Sequence, residues 1–374
     1  MSRVLVTGGA GYIGSVLVGM LVERGYDVRV LDRLYWGEAP LAQYMQHIEL
    51  IQGDTRNVSD AMLGGVDAVV HLAGLSNDPT AEYEPAANWE MNAVATRELA
   101  EACLRVGVTR FTFGSSCSIY DGLPAGPVYD ETTSVRPRGA YATSKFAAEQ
   151  ALLQLADDRR FHPTILRQGT VYGLSPRMRF DLVVNTFIRD ALQKGLLSLH
   201  GGGWMWRPLV DVTDVARAHI CCLETPGPKV GGEIFNVLHD NYQIRQLAML
   251  VAGSALVRRV SVELKEMPLP DIARDYKCSN AKIRAQLGFE AQVTVLESIE
   301  TMLRDIDSRA PIELAHPRYE NIAWMTLLEE AVHNVGKFRG VFSSLPANGA
   351  APEHSHQATD PAGLRITPPA RASR

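Results

Sequence analysis

Three side chains in the middle of the chain, Ser116, Tyr141 and Lys145, have the types and spacing needed to move a proton on and off an oxygen atom. Tyr141 and Lys145 are four residues apart in a segment with a helical pattern, so they share one helix face. A lysine ammonium beside a tyrosine lowers the pKa of the phenol, which can then take a proton from an alcohol or return one to a ketone. The Ser116 hydroxyl could hydrogen-bond the same oxygen. Because such Tyr/Lys pairs also occur on solvated helix faces, the hypothesis depends on the surrounding elements.

A glycine-rich turn near the first residue has the pattern of a dinucleotide-binding site. Residues 4–6 form a short apolar, β-branched run typical of a buried strand, and a helical pattern begins at residue 16. The backbone N–H groups of such a turn and the positive end of the helix dipole bind a pyrophosphate, which glycines allow to approach closely. The predicted cofactor contacts in this turn are Gly8, Gly11, Tyr12, Ile13 and Gly14.

The second and third apolar runs indicate which dinucleotide binds. The second run ends at Asp32, where a carboxylate suits a ribose 2′-hydroxyl and repels a 2′-phosphate. The neighbouring Arg33 favours the opposite conclusion, because a cation there could bind a 2′-phosphate. The third run, 47–54, ends at Asp54, which could accept a hydrogen bond from the adenine amino group or cap a turn. The balance favours NAD.

The order of the elements predicts an α/β fold. Strand-like runs alternate with helical patterns over the first half of the chain, which is typical of a doubly wound parallel sheet. The fourth strand ends at Leu72 and Ala73, where the backbone could lie beside a dinucleotide, and the fifth ends at Ser115 and Ser116. Built this way, the sheet brings the serine, the Tyr/Lys helix and the glycine turn together.

Beyond about residue 173 the pattern loosens into short strands mixed with helices, which predicts a smaller C-terminal α/β lobe. The end of the chain is rich in Pro, Ala, Ser and His and has few large apolar residues, so we expect it to be disordered. The predicted divisions are a dinucleotide-binding domain at 1–172, a substrate lobe at 173–310 with some elements possible in the first domain, a helical extension at 311–345 and a disordered tail at 346–374.

Composition excludes several classes of function. The net charge of −5 gives no basic surface for nucleic acid, and 46% hydrophobic and 21% charged residues are ordinary for a globular protein. The five cysteines have no metal-ligand spacing and no even disulfide framework, which favours a reducing compartment. With no long apolar run and no room for a signal peptide, we expect a cytoplasmic protein without membrane, metal or nucleic-acid partners.

Together these segments resemble the extended short-chain dehydrogenases/reductases of the NAD-dependent nucleotide-sugar epimerase/dehydratase group, over roughly residues 3–310. The resemblance implies a Rossmann-type fold, NAD as a resident hydride carrier, a nucleoside diphosphate sugar in the smaller lobe, and a homodimer through helices 89–106 and 141–156. The segments that carry it are TGGAGYIG, HLAG, GSSCSIY, YATSK, LRQGTVYG, RPLVDVTDVARA and YKCSNAKIRAQLGF.

In this family the residues after the catalytic serine or threonine determine the reaction. Here they are Cys117 and Ser118, where the 4,6-dehydratases carry Asp-Glu and the decarboxylases carry a glutamate in place of Ser118. The 3,5-epimerases have a cysteine at the Ser118 position, whereas Cys117 is one residue early and points to the other side of an extended strand. A free core thiol is the favoured interpretation of Cys117.

With those reactions set aside, the resemblance implies chemistry that needs only Ser, Tyr, Lys and NAD, which is either C4 epimerisation or one-way reduction of a ketone. The leading hypothesis is an NAD-dependent epimerase that inverts C4 of the sugar through a transient 4-keto intermediate. Tyr141 would be the acid/base, Lys145 would tune its pKa, and Ser116 would orient the hydroxyl. One alternative is an NAD(P)H-dependent 4-ketoreductase of a nucleotide-linked deoxy-sugar. A more distant alternative is a non-catalytic dinucleotide-binding scaffold, which would be expected to lack the Tyr/Lys pair.

The resemblance also implies contacts to the sugar nucleotide. Arg207 and Arg274 match two arginines that hold the diphosphate, and guanidinium groups suit such bidentate contacts. Thr170 stands where the family often has asparagine. In the segment 175–185, Arg177 and its neighbours could contact sugar or phosphate or cap the following helix. The predicted substrate contacts are Ser76, Cys117, Ser118, Thr170, Arg179, Asn185, Arg207 and Arg274.

Overall fold

The computed structural model describes residues 2–156, 160–269, 274–307 and 311–337. The tail predicted to be disordered, 346–374, lies outside them. The β-strands are β1 (Arg3–Thr7), β2 (Asp27–Asp32), β3 (Ile48–Gln52), β4 (Ala68–His71), β5 (Arg110–Ser116), β6 (Val128–Tyr129), β7 (His162–Gln168), β8 (Thr170–Tyr172), β9 (Leu196–His200), β10 (Trp206–Asp211), β11 (Ile234–Val237), β12 (Asp240–Gln243), β13 (Glu263–Met267) and β14 (Lys277–Cys278).

The helices fill most of the sequence between these strands. The α-helices are α1 (Tyr12–Glu23), α2 (Asp60–Leu63), α3 (Asp78–Tyr83), α4 (Pro85–Trp89), α5 (Ala95–Val106), α6 (Gly139–Leu155), α7 (Val183–Lys194), α8 (Val212–Glu224), α9 (Gly227–Val230), α10 (Ile244–Val257), α11 (Ala281–Leu287), α12 (Val295–Asp307), α13 (Pro311–Leu314) and α14 (Asn321–Lys337). A π-helical turn, Glu90–Val94, precedes α5, and 3₁₀ turns occur at Ala39–Tyr44, Thr55–Asn57, Cys117–Tyr120, Gly201–Gly203 and Pro317–Tyr319.

A seven-stranded parallel sheet in the order β11-β7-β5-β4-β1-β2-β3 is the centre of the fold. Its inner strands β1, β4, β5 and β7 are buried along almost their whole length because helices cover both faces, as expected for a parallel sheet. Leu17 of α1 and Ile220 of α8 pack into the core on one face, and Leu99 of α5 and Leu152 of α6 into the core on the other. The predicted Rossmann-type doubly wound sheet is therefore confirmed.

Residues 1–325 form one compact unit, and residues 326–337 are the described part of a second one. Within the first unit, β11 comes from the region predicted as the substrate lobe, yet it pairs with β7 at the edge of the large sheet. Elements after residue 173 thus return to the sheet, as the sequence analysis allowed. The domain boundary at residue 172 stays a prediction.

The described part of the chain also forms three smaller sheets. The strands β12, β10 and β8 form one sheet, while β13 pairs with β9 and β14 pairs with β6. A second core of apolar side chains from α7, α10 and α12, among them Ile188, Leu247 and Ile299, supports this region. No described helix is long and apolar enough to cross a membrane.

Candidate functional site

A cavity of about 270 Å³ opens at the carboxyl edge of the large sheet. The residues at the ends of β2, β5 and β7 line it, because parallel strands end at the same edge. Most of the predicted site residues are brought together here. Those that line the cavity are Gly8, Gly11, Tyr12, Ile13, Gly14, Asp32, Asp54, Leu72, Ala73, Ser76, Ser115, Ser116, Tyr141, Thr170, Arg179 and Arg274.

The glycine turn between β1 and α1 leaves no room for side chains. Gly8 has φ +73°, and a Cβ atom there would lie 2.8 Å from the backbone nitrogen of Ala73. A Cβ atom on Gly14 would overlap the carbonyl oxygen of Gly8. The turn is closed by a hydrogen bond from the Gly11 N–H to the Gly8 carbonyl, 3.0 Å long. A pyrophosphate can therefore approach this backbone and the first turn of α1.

We predict that Gly8→Ala abolishes NAD retention, because the added methyl group forces both the left-handed backbone and the contact with Ala73 to change. NAD bound per chain after gel filtration measures this. Gly25→Ala is the matched control, since Gly25 also has positive φ, +79°, but its Cβ atom would meet nothing within 4 Å. Gly25→Ala should destabilise the fold by about 1–2 kcal/mol and leave NAD bound. Equal NAD loss in both variants would contradict the prediction.

Neighbouring backbone N–H groups hold the Asp32 carboxylate in place. Its carboxylate accepts hydrogen bonds from the N–H groups of Ala10 (3.0 Å) and Leu34 (2.7 Å). Burial raises the pKa of Asp32, and these two bonds oppose that rise. The carboxylate faces the cavity at the end of β2, the position that suits a ribose hydroxyl.

Asp54 has the capping role that the sequence left open, and it also lines the cavity. It accepts a hydrogen bond from the Arg56 N–H at 2.9 Å and forms ion pairs with Arg33 (3.1 Å) and Arg56 (2.7 Å). Burial raises the pKa of Asp54, but its bonds to Arg56 outweigh this and the pKa is lowered. Because Arg33 is paired with Asp54, its charge is already compensated, which weakens the argument for a 2′-phosphate.

Ser116 and Tyr141 meet at the end of β5. Both side chains line the cavity, and the Ser116 hydroxyl accepts the Ser118 N–H at 3.1 Å. Burial raises the pKa of Tyr141, while hydrogen bonding with Ser116 and the nearby Arg179 guanidinium act to lower it. The serine hydroxyl and the tyrosine phenol thus face one point of the cavity wall, where a reacting oxygen could bind both.

Lys145 follows one turn later on α6 but does not line the cavity in this conformation. Its buried ammonium donates a 3.0 Å hydrogen bond to the Gly114 carbonyl and lies 4.7 Å from the centre of the Phe113 ring. Burial lowers the pKa of Lys145 to about 8, opposed by the charge of Glu149. The pKa of Tyr141 is raised overall, because burial outweighs Ser116 and Arg179, and Lys145 does not contribute the expected lowering in this conformation.

Cys117 and Ser118 are buried in the 3₁₀ turn after β5 and do not line the cavity. The Cys117 thiol donates to the Arg167 carbonyl at 3.2 Å, which agrees with a core thiol. The Ser118 hydroxyl has no hydrogen-bond partner among the described residues. Neither side chain can supply the acid and base that a dehydration requires.

The two predicted diphosphate arginines contact each other, and both are partly buried. Arg207 donates to the carbonyl groups of Trp206 and Arg274, and burial lowers its pKa. Arg274 lines the cavity and pairs with Asp78, and with Asp121 at 3.6 Å. The structure therefore brings Arg274 to the cavity wall, whereas Arg207 does not line the cavity.

Among the other predicted substrate contacts, Arg179 is rigidly held. Its guanidinium forms two bonds to Asp181 (2.7 and 2.9 Å) and donates to the Ser76 hydroxyl at 3.0 Å. Asn185, in contrast, is not brought to the cavity. Its amide donates to the Tyr12 hydroxyl (3.1 Å) and the Arg179 carbonyl, and its oxygen accepts the Gly173 N–H. Asn185 therefore has a structural place between α7 and α1.

Sequence reasoning missed the part of the wall formed by residues distant in the chain. Tyr35 and Trp36 follow β2, and Asn321 and Met325 come from the beginning of α14. Reciprocal hydrogen bonds join the two segments, from the Trp36 indole to the Arg318 carbonyl (3.0 Å) and from the Trp324 indole to the Tyr35 carbonyl (2.7 Å). Trp36 and Trp324 are the sequence features that could have indicated this part of the wall. They are far apart in the chain, however, and no sequence pattern relates one to the other. Among the described residues, no cluster of His, Cys, Asp or Glu could hold a metal ion.

A comparison with known families agrees with this geometry. Residues 4–237, which contain β1 to β11 and the whole Ser/Tyr/Lys arrangement, match the NAD dependent epimerase/dehydratase family. The chain belongs to this family. The resemblance seen in the sequence is thereby confirmed, and the protein is an NAD-dependent enzyme.

Individual members of the epimerase/dehydratase family match most of the chain. A UDP-glucose 4-epimerase of Corynebacterium glutamicum is 27% identical over 79% of this chain and 93% of its own length. A dTDP-glucose 4,6-dehydratase of Streptomyces niveus is 29% identical over 82% and 94%, respectively. The structure of MoeE5 in complex with UDP-glucuronic acid and NAD has a TM-score of 0.70 at 26% identity and covers 81% of this chain and 98% of MoeE5.

The residues present fit NAD, the cofactor of this epimerase/dehydratase family. The glycine turn is a cradle that a Cβ atom on Gly8 or Gly14 would fill, and the Asp32 carboxylate faces the cavity where a ribose is expected. Gly8, Gly11 and Ile13 would hold the pyrophosphate, and Asp32 the adenosine ribose. Similar identity to an epimerase and to a dehydratase leaves the reaction to be argued from the site itself.

Proposed function

We propose that this family member is an NAD-dependent epimerase that inverts C4 of a nucleoside diphosphate sugar. The supporting observation is the absence of a carboxyl group beside Ser116 and Tyr141 among the described residues that line the cavity. Its lining carboxylates, Asp32 and Asp54, follow β2 and β3, three or more strands from β5, or at least about 14 Å at the usual strand spacing. Proton transfer by Ser116 and Tyr141 with hydride transfer by NAD fits this wall, with Lys145 one turn behind Tyr141 on α6.

The chain's own groups would carry the proton steps. When bound, NAD supplies reversible hydride acceptance at the sugar carbon. The Tyr141 phenolate would take the proton of the sugar hydroxyl, and the phenol so formed would return it to the keto oxygen, with Ser116 hydrogen-bonded to that oxygen in both states. Arg179, locked to Asp181, places a positive charge near Tyr141 that favours the phenolate. Arg274 would release Asp78 and bind the sugar diphosphate.

Cofactor use separates C4 epimerisation from reduction of a 4-keto sugar. We expect purified protein to convert one of a panel of UDP-, dTDP-, GDP- or CDP-hexoses into its C4 epimer without added NAD or NADH. A substrate deuterated at C4 should keep its deuterium, because the same hydride returns to the carbon that lost it. Nuclear magnetic resonance of the product measures both. Stoichiometric consumption of NADH or NADPH would instead show the ketoreductase.

We also propose that the enzyme is a cytoplasmic homodimer. All five cysteines are free thiols, which suits a reducing compartment. The predicted dimer helices, 89–106 and 141–156, correspond to the π turn with α5 and to α6. Sedimentation equilibrium measures the assembly, and a monomeric mass would contradict it.

A further inference from the structure

Arg177, in the loop between β8 and α7, has an unusual set of partners for a buried arginine. It is 5% exposed and lines the cavity. Its guanidinium lies 3.9 Å from the centre of the Trp36 ring, and one terminal nitrogen donates to the Asn321 side-chain oxygen at 2.5 Å. The Nε atom is buried and has no hydrogen-bond partner among the described residues. One donor of this group is therefore available to a ligand.

Arg177 also differs from the neighbouring arginines in its ion pairing. The other arginines of the cavity wall pair with carboxylates: Arg33 with Asp54, Arg179 with Asp181, and Arg274 with Asp78. Within the described part of the chain, Arg177 forms no such ion pair. Burial, followed by repulsion from Arg179, lowers the pKa of Arg177 to about 9. Because an unpaired buried charge is strongly unfavourable, an anionic ligand group is expected beside it.

The position of Arg177 indicates which anion this is. The Arg177 backbone N–H donates to the Ser175 hydroxyl at 3.2 Å, and that hydroxyl donates to the carbonyl of Tyr12, the first residue of α1, at 2.7 Å. The charge of Arg177 also acts to lower the pKa of Asp32 at the end of β2, although burial raises that pKa overall. Arg177 is thus tied to the beginning of α1, where the pyrophosphate of a dinucleotide binds, near the ribose position.

We propose that Arg177 binds the pyrophosphate of NAD, and that residues 317–325 hold the guanidinium in place through Trp36 and Asn321. Trp36 stacks on the guanidinium and is itself bonded to the Arg318 carbonyl. Asn321 accepts from Arg177 and also donates to the Ser76 hydroxyl, which fixes the orientation of its amide. The inference rests on NAD as the cofactor and is independent of the C4 reaction.

The rate at which the purified holoenzyme releases NAD into excess ADP-ribose tests this inference without any substrate. Arg177→Met should release NAD about tenfold to a hundredfold faster, the value of a hydrogen bond to a charged group. Arg177→Lys keeps the positive charge and should therefore release NAD more slowly than Arg177→Met. If Arg177→Met fails to fold, the NAD release rate of Arg177→Lys still tests the proposal. The matched control is Arg217→Met, because Arg217 is also stacked on an aromatic ring, Phe289, outside the cavity.

Two further probes identify the contacted group. Competition by ADP-ribose should weaken in Arg177→Met while competition by adenosine stays unchanged. Equal weakening of both would place the contact on the nucleoside and overturn the proposal. Unchanged NAD release together with weaker binding of UDP to the holoenzyme would assign Arg177 to the substrate diphosphate and would also overturn it. So would wild-type behaviour of Arg177→Met towards all probes.

Discussion

Tyr141→Phe is expected to lower the turnover of the nucleotide sugar by about a hundredfold to ten-thousandfold, because the variant lacks the only hydroxyl proposed to exchange a proton with the substrate. The ring is retained, so the helix α6 and the contact surface near Ser116 should stay intact. The measurement is the rate of C4 epimer formation together with the NAD content of the protein. NAD content should equal that of the wild type.

A buried tyrosine away from the cavity wall provides the control for this result. The Tyr172 hydroxyl donates to the Val293 carbonyl at 2.8 Å, and Tyr172 does not line the cavity. Tyr172→Phe should lower stability slightly and leave turnover near the wild-type rate. If Tyr141→Phe kept more than about a tenth of the wild-type rate, another group would have to move the proton, since general acid–base catalysis normally exceeds that factor.

Glu149→Ala should give the largest loss of stability among the single substitutions considered. Glu149 is fully buried behind β5, accepts the Ser115 hydroxyl at 2.5 Å and is paired with the buried Arg167 through three bonds of 2.7 to 3.2 Å. Removing the carboxylate leaves the guanidinium charged and unpaired, which costs about 3–5 kcal/mol. The midpoint of unfolding in urea measures this loss.

The matched comparison separates an unpaired buried charge from the loss of any ion pair. Asp60→Ala breaks the pair with Arg105 on the surface, where both side chains are 58% exposed, and should leave the midpoint nearly unchanged. The double substitution Glu149→Met with Arg167→Met should be more stable than Glu149→Ala, because it removes both charges. A midpoint for Glu149→Ala equal to that of Asp60→Ala would show that Arg167 finds another partner or water.

The large sheet and the glycine turn could be predicted because their signals are local. Short β-branched runs, helical periodicity and glycines at fixed spacing each depend on neighbouring residues. The strands β1 and β5 lie where these patterns place them, while α1 begins at Tyr12, four residues before the predicted helical pattern. The short strands β6, β8 and β14 were not predicted. They have two or three residues each, so their existence depends on tertiary pairing rather than on any pattern of their own.

The sequence predicts which residues form the site better than it predicts the partners that their side chains bind. The spacing along α6 places Tyr141 and Lys145 on one helix face. The Lys145 ammonium, however, donates to the Gly114 carbonyl, and the sequence alone does not specify which acceptor it binds. Asn185 was predicted from its proximity to the pocket, whereas its amide bonds to Tyr12 and Arg179. Side-chain direction in a buried polar network is decided by contacts far apart in the chain.

Two hydrogen bonds, between Trp36 and Arg318 and between Tyr35 and Trp324, join residues separated by 282 and 289 positions. On the ribosome, the large sheet can form once β11 has emerged, whereas these two hydrogen bonds require some ninety residues more. The newborn chain therefore has its glycine turn long before it can close the wall around a dinucleotide. On the proposal that residues 317–325 hold Arg177 against NAD, cofactor capture would follow the synthesis of this segment, and a stop codon near position 310 would give a folded sheet that loads NAD poorly.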